Sequence, residues 1–483
     1  MITTRPLIGL LFAMFASTAC AAASKPNVLF VLTDDQRWDA LGVVQREMGE
    51  RGRFPWLETP NMDRLAAGGV RFRNAFVTSP LCAPSRAVFM TGRYNHVNGV
   101  ANNHTFFPGG DNTLQSQLHD AGYITGHFGK WHMGGQRGKR PGFDYSASFI
   151  GQGKYWNCPF EINGETTQTQ GWVDDVSTSF TIAWIREQKD KPFFAMVGYK
   201  APHGPHDPPE RAKNRFPDAE ARPVPNLHTR AIFRVDEQTT VPRKRAGGAN
   251  LPHFRSLSAV DDSLGELLAA LDDLGLTDNT VVVFAGDNGY YHGEHGIGDK
   301  RSLYEESLRI PFLVRYPNGF PKGKTNDSMV LNMDLAPTLL ELAGAGIPKQ
   351  MQGKSLLPLL TGKNVEWRNS FLAEYFEEKG FPTTPNVVAV RTADAKLIQY
   401  PGHDEWTELF DLRRDPYETK NLIGEAQSRD LLKRMQSEFD RQVKTTEYRM
   451  PDYADNRGTT VTAEAADAAD VAKPGKQRKR KLR

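Results

Sequence analysis

The sequence predicts an α/β protein: a central, mostly parallel sheet flanked by helices, then a smaller C-terminal subdomain with an antiparallel sheet and a helix. Residues 26–32, 192–199 and 280–285 are almost unbroken apolar runs of strand length, the mark of strands covered on both faces. Between them lie stretches of helical periodicity, at residues 60–67, 114–121, 174–186 and 257–274. Beyond residue 362 the pattern changes to short strands with tight connections. At 483 residues the chain is long enough for one large domain and a smaller unit. The expected organisation is a leader at 1–23, a main domain at 24–361, the subdomain at 362–450 and a disordered basic tail at 451–483.

Arg5, the apolar stretch 7–15 and the closing Ala21-Ala22-Ala23 form a secretory leader, too short to span a bilayer. The expected location is therefore periplasmic or extracellular. Cys20 offers a site for lipid anchoring, although Ser17-Thr18-Ala19 lacks the leucine usual before such a cysteine. No later stretch is apolar for long enough to form a transmembrane segment.

Strand 26–32 ends in Thr33-Asp34-Asp35, and adjacent carboxylates at the C-terminal end of a central strand lie where open α/β sheets hold ligands. In apolar surroundings the two repel unless a cation lies between them, and hard oxygen donors suit Ca²⁺ or Mg²⁺. In isolation the same pair would serve as a helix cap or turn. After a helix at 60–67 and a strand at 70–77 comes Ser79-Pro-Leu-Cys82-Ala-Pro84-Ser85-Arg86. Pro84 is placed to open a short buried helix ending near Gly92, with Cys82 just before its N-terminus, where anions are favoured. Arg86, one turn on, directs a permanent cation to the same spot. From the residues alone, this is either a buried structural cysteine or a reactive thiol at an anion site.

The next strand feeds Gly129-Lys130-Trp131-His132, where two-residue spacing on extended backbone projects Lys130 and His132 to one side. Strand 192–199 runs into Lys200-Ala-Pro202-His203-Gly-Pro205-His206, an extended loop held by its prolines, and a rigidly held histidine suits acid–base work. Residues 207–255 are Pro-, Arg- and Lys-rich with little periodicity and read as a binding loop or pocket wall. Strand 280–285 ends in Gly286-Asp287-Asn288-Gly289, a second acidic pair with an amide oxygen, and Gly298-Asp299-Lys300-Arg301-Ser302 follows. A strand at 311–316 and a helix at 334–343 complete the main domain. Strands at 370–376, 387–392, 396–400 and 407–412 and a helix at 425–444 make the subdomain.

The pentapeptide Cys82-Ala-Pro84-Ser85-Arg86 resembles the signature of the type I, formylglycine-dependent sulfatases, and the Lys130/His132 segment resembles their second signature. The resemblance runs from Asn27 to about Leu422 and implies an alkaline-phosphatase-like core. It implies that Cys82 is oxidised by a formylglycine-generating machinery to an aldehyde whose hydrate attacks sulfur. Asp34, Asp35, Asp287, Asn288 and an oxygen from residue 82 would hold Ca²⁺, with Mg²⁺ the lesser choice. Arg86 and Lys130 would balance the hydrate and sulfate charge, and His203 and Lys300 would assist departure of the alcohol oxygen. His132 would remove the proton of the remaining hydroxyl, expelling sulfate and restoring the aldehyde. The sequence around residues 92–99 resembles polysaccharide sulfatases, particularly those acting on amino-sugar 6-sulfates. His96, Asn102, Asn103, His104, His206 and His403 are then candidate sugar contacts, with His403 beside Asp404 and Glu405 on a subdomain loop. The alternatives are a phosphate or phosphonate ester hydrolase of the same superfamily and a non-catalytic glycan-binding relative.

Composition narrows the partners. Seven basic side chains fall in residues 473–483 and one, Arg5, in the leader; without them the formal charge of +3 becomes −5. A mildly acidic body excludes broad electrostatic capture of nucleic acid, so anion binding must be local. Of three cysteines, Cys82 and Cys158 survive leader removal, and in an exported protein they would pair as a disulfide unless Cys82 is the nucleophile.

Overall fold

The computed structural model describes residues 25–234, 248–381 and 383–452; the leader and nearly all of the basic tail lie outside the described residues. Ten strands form one sheet: β1 (Asn27–Thr33), β2 (Val70–Phe76), β3 (Ile124–Lys130), β4 (Tyr145–Phe149), β5 (Phe160–Ile162), β6 (Glu165–Thr167), β7 (Phe193–Gly198), β8 (Thr280–Gly286), β9 (Phe312–Arg315) and β10 (Lys324–Leu331). Their spatial order is β10-β2-β9-β8-β1-β7-β3-β4-β5-β6. Four more, β11 (Ser370–Tyr375), β12 (Val387–Thr392), β13 (Ala395–Gln399) and β14 (Glu408–Asp411), form a sequential antiparallel sheet.

Side-chain alternation along β1 explains its apolar run. Val28, Phe30 and Leu32 enter one core, and Leu29 and Val31 enter the other, so every position is buried. β1 is parallel to both β7 and β8, with Thr33 opposite Gly286. That register brings the acidic ends of β1 and β8 together. β9 runs antiparallel between β8 and β2, a reversal that the sequence does not announce.

The helices follow the expected spans with shifted ends. Pro60–Ala67, Leu114–Asp120 and Val173–Gln188 lie within a few residues of expectation, whereas the long helix starts early, at Leu251, and runs to Asp273. Its first turn therefore takes the end of the segment expected as irregular loop; the earlier part holds 3-10 turns at Glu210–Ala212, Pro225–His228 and Ile232–Arg234. The C-terminal helix, Arg429–Thr446, packs across β11, β12 and β13. Phe371, Val390, Leu409 and Met435 share the core that lines one face of the large sheet, with Phe76 and Phe371 ring centroids 5.0 Å apart. The small sheet is thus fused to the main body through a continuous core.

Candidate active site

Asp34 and Asp35 leave β1 in sequence, yet both turn inward because Asp35 adopts a left-handed backbone, φ 64°. Asp287 follows β8 directly, and its Oδ1 accepts from the Asp35 backbone N–H at 3.2 Å. Asp34, Asp35, Asp287 and Asn288 are all buried. Carboxylate oxygens of Asp34, Asp35 and Asp287 and the Cys82 sulfur lie within 4.8 Å of one another.

Cys82 is the first residue of the Cys82–Thr91 helix, two positions earlier than Pro84 indicates, and Gly92 closes that helix in a left-handed cap at φ 62°. The expected end near Gly92 holds. Every residue of the helix is buried. Cys82 Sγ donates to Asp34 Oδ1 at 3.3 Å. Burial, then the charges of Asp34 and Asp287, push the thiol well above its ordinary range. As cysteine, residue 82 therefore faces carboxylates, which favour its protonated thiol. Cys82 and Cys158 are both free, so the alternative disulfide is absent.

Cations interleave with the acids. Arg86 is held by three acceptors, Asp287 Oδ2 at 2.9 Å, the Lys130 carbonyl at 2.8 Å and Asp34 Oδ2 at 3.3 Å. Lys130 Nζ contacts Asp34 Oδ2. Lys300 Nζ meets Asp35 Oδ1 at 2.7 Å; burial lowers its pKa, but Asp35 together with Cys82, Asp34 and Asp299 keeps that ammonium well above the usual lysine range. Burial opposes the charge of Asp34, but Lys130, His203 and Arg86 hold its carboxyl well below the usual range. Burial raises Asp35 against the pull of Lys300, and burial followed by Asp34 pushes Asp287 up to about 7. Two of the three carboxyls thus resist ionising with only these cations beside them. Asn288 donates from Nδ2 to Asp35 Oδ1 at 2.7 Å, while its Oδ1 is buried without a partner. Three clustered carboxyl groups, two of them short of positive charge, and an unpartnered amide oxygen are a donor set that fits a hard divalent cation.

His132 and Lys130 are both buried. β3 ends at Lys130, and His132 sits in a left-handed turn at φ 51°, so strand pleating does not align them. Burial, then Lys130, keep His132 well below the ordinary imidazole range, hence neutral, with a buried unpartnered Nδ1. His203 is half-buried, places Nε2 3.8 Å from Asp35 Oδ2 and directs Nδ1 to the Gly204 carbonyl at 2.5 Å. Burial, then Lys300 and Lys130, lower its pKa well below 6.5.

The expected sugar contacts divide. His96 is a correction: its side chain is fully buried, with Nδ1 2.6 Å from Glu374 Oε2 and Nε2 2.9 Å from the Thr446 carbonyl. Both nitrogens are engaged in joining the main body to the subdomain, and none is left for a ligand. Asn102 Oδ1 accepts from His104 N and Thr105 Oγ1, both at 2.9 Å, as a turn former, and His104 is exposed. Asn103 Oδ1 accepts the Ala83 N–H at 3.0 Å, at the start of the Cys82 helix. His206 is half-buried, with Nε2 2.9 Å from Asn250 Nδ2 and its ring 5.3 Å from that of His253. His403 stacks on Trp406 at 3.8 Å and is 3.4 Å from Glu405.

Sequence reasoning passed over Gln152, Tyr155 and Lys200. Lys130 Nζ donates to Gln152 Oε1, and Lys200 Nζ donates to the Gln152 carbonyl at 3.0 Å. Lys200 lies 4.8 Å over the Tyr155 ring, whose hydroxyl donates to the His203 carbonyl at 2.7 Å. Burial, then Lys130, pull Lys200 down to about 8. A lysine closing an apolar strand was the one available signal.

Against models of known families, residues 26–345 match the family described as Sulfatase, and residues 293–445 match N-sulphoglucosamine sulphohydrolase, C-terminal. An N-acetylglucosamine-6-O-sulfatase of Bacteroides thetaiotaomicron is 30% identical over 87% of this chain and 87% of its own length. The chain belongs to the sulfatase family. It is an enzyme that hydrolyses sulfate esters. Among solved structures, this sulfatase is similar to one described as a complex with its substrate D-glucosamine-2-N,6-O-disulfate. The TM-score is 0.80 and the identity 27%, covering 90% of this chain and 100% of that one. A phosphonate monoester hydrolase from Silicibacter pomeroyi, 20% identical with a TM-score of 0.71 over 87% of this chain and 96% of its own, shares the alkaline-phosphatase-like fold alone.

Proposed function

We propose that this sulfatase is exported and removes sulfate from a carbohydrate, with residue 82, converted from cysteine to formylglycine, as its nucleophile. The observation that carries the reading is the position of residue 82: buried, first in its helix, and within 4.8 Å of three carboxylates at the ends of β1 and β8. Asp34, Asp35, Asp287, Asn288 and an oxygen of residue 82 would hold Ca²⁺, with Mg²⁺ the lesser choice. When bound, the ion supplies Lewis acidity toward the sulfate oxygens and the oxygen of residue 82.

The protein's own groups have separable roles. Arg86 cannot swing, since three acceptors fix its guanidinium, so it is a preorganised positive charge beside residue 82 and the sulfate. Lys130 adds a second charge from the end of β3. Lys300 is an ammonium throughout the physiological range and is the standing proton carrier for the departing alcohol oxygen. His203 assists the same departure, because its Nδ1–H is held by the Gly204 carbonyl, which directs Nε2 toward Asp35 and the same point. His132, held neutral by burial, takes the proton that must leave residue 82 in the second half of the cycle.

The substrate class proposed is a sulfated polysaccharide or glycosaminoglycan fragment, with the 6-O-sulfate of an amino sugar foremost. Support comes from the relatives: one is named for N-acetylglucosamine 6-O-sulfate, and another holds a 6-O-sulfated glucosamine. The test is ion release from N-acetylglucosamine 6-sulfate and from N-acetylglucosamine 6-phosphate by protein made in its native host. Release of sulfate well ahead of phosphate is expected. Faster phosphate release would instead support the phosphate or phosphonate hydrolase.

A further inference from the structure

Glu378 lies just beyond β11 in the C-terminal subdomain, only 2% exposed, and both of its oxygens are committed to the main body. Oε1 accepts the Asn103 backbone N–H at 3.0 Å. Oε2 accepts from Arg301 Nε at 2.7 Å. Each contact leads directly to the site. Asn103 Oδ1 accepts the Ala83 N–H at 3.0 Å, one of the first-turn donors left free by the helix that begins at Cys82. Arg301 follows Lys300 in the chain, and its Nη1 donates to Asp299 Oδ2 at 2.6 Å, so the residues on both sides of Lys300 are pinned. The Arg301 guanidinium also lies 3.4 Å over the Phe381 ring, from the same subdomain loop as Glu378.

We propose that Glu378 is a positioning residue for sulfate-ester hydrolysis, fixing Lys300 relative to residue 82 from the C-terminal subdomain; this rests on the reading of residue 82 as nucleophile and Lys300 as proton carrier. Lys300 Nζ is drawn toward Asp35 by charge, but charge alone does not fix where the backbone beneath it lies. The Glu378 carboxylate supplies that by joining the 299–301 segment to the segment that caps the Cys82 helix. It has the reach and the two acceptor atoms to hold both at once, and Asn103 and Arg301 present one donor each. A glutamine there retains a single acceptor oxygen and turns an amide N–H₂ toward one of the two donors, so one arm is lost.

The consequence is specific to the leaving group. A sugar alkoxide leaves poorly and needs the proton from Lys300, whereas a nitrophenolate leaves with little help. Matured wild type, Glu378→Gln and Glu377→Gln are compared on N-acetylglucosamine 6-sulfate and on 4-nitrophenyl sulfate. Glu377 is the exposed neighbour and serves as control. For Glu378→Gln the expected result is a fall in kcat of about 10–100-fold on the sugar sulfate, at a KM within about threefold, against a fall of about threefold on the aryl sulfate. Glu377→Gln is expected to match wild type on both. Equal losses on the two substrates in Glu378→Gln, or no loss on either, would overturn the proposal, because a merely structural defect lowers both rates together. A wild type active on the aryl sulfate and inactive on the sugar sulfate would overturn the sugar as substrate. A wild type inactive on both would overturn the reading of the site and this inference with it.

Discussion

At the scale of single residues, the candidate site is a balance of acids and cations that one more positive charge would complete. Asp287 is the most informative position, since it meets Arg86, Asp35 and residue 82 at once and its carboxyl is pushed up to about 7. Asp287→Asn is expected to lower kcat/KM about 10–100-fold at limiting Ca²⁺ and to raise the Ca²⁺ concentration giving half-maximal activity. A calcium titration of activity checks both. Much of this site was legible because its parts are adjacent in the chain: Asp34 with Asp35, Asp287 with Asn288, Cys82 one helical turn from Arg86. What the sequence hid were partnerships across long separations. His96 looked like a free imidazole because nothing near it announces Glu374, 278 residues away. Glu378 was silent for the same reason, its partners Asn103 and Arg301 lying 275 and 77 residues away.

At the scale of elements, the geometry depends on close backbone approach where strands end. A Cβ on Gly198, the last residue of β7, would stand 2.3 Å from the Lys130 carbonyl oxygen and 2.8 Å from Arg86 Nη1. Backbone oxygen cannot yield as a flexible side chain would. Gly198→Ala is expected to cost about 1–3 kcal/mol of stability and to lower kcat by more than that loss accounts for, since Lys130 and Arg86 both shift. Thermal unfolding and kinetics on one preparation separate the two effects. The strands that carry the site were readable, being apolar throughout and buried on both faces. β5 and β6, at three residues each, are too short to show a period, and β10 is an edge strand whose first half is polar and largely exposed. The antiparallel direction of β9 leaves no trace in its composition.

At the scale of the whole molecule, the C-terminal sheet is locked to the active-site segment by buried charge. Lys396, fully buried, places Nζ 3.0 Å from Glu305 Oε1 and 2.7 Å from Glu418 Oε1 and donates to the Leu303 carbonyl at 3.0 Å. Lys396→Ala strands the buried Glu418 carboxyl group, while Glu305 keeps Arg391, and is expected to cost about 3–5 kcal/mol, measurable by urea unfolding. His96 provides a pH-dependent tie. Burial alone would lower its pKa, but the hydrogen bond and charge of Glu374 outweigh burial and raise it above 6.5. A raised folded pKa contributes stability that is fully present below 6.5 and is lost as pH rises through the folded value. His96→Gln is therefore expected to be less stable than wild type by about 1–3 kcal/mol below that range, with the gap narrowing in alkali. Thermal melts across the pH range test the sign. The small sheet was legible as a separate unit from its short strands, whereas the core it shares with the large sheet was not, because continuity is a property of packing.

The central claim is the identity of the nucleophile. The most direct measurement is the mass of the peptide containing residue 82, from protein produced in its native host, since a foreign host can lack the converting machinery. The mass of formylglycine is expected at that position. An intact thiol in active protein would contradict it.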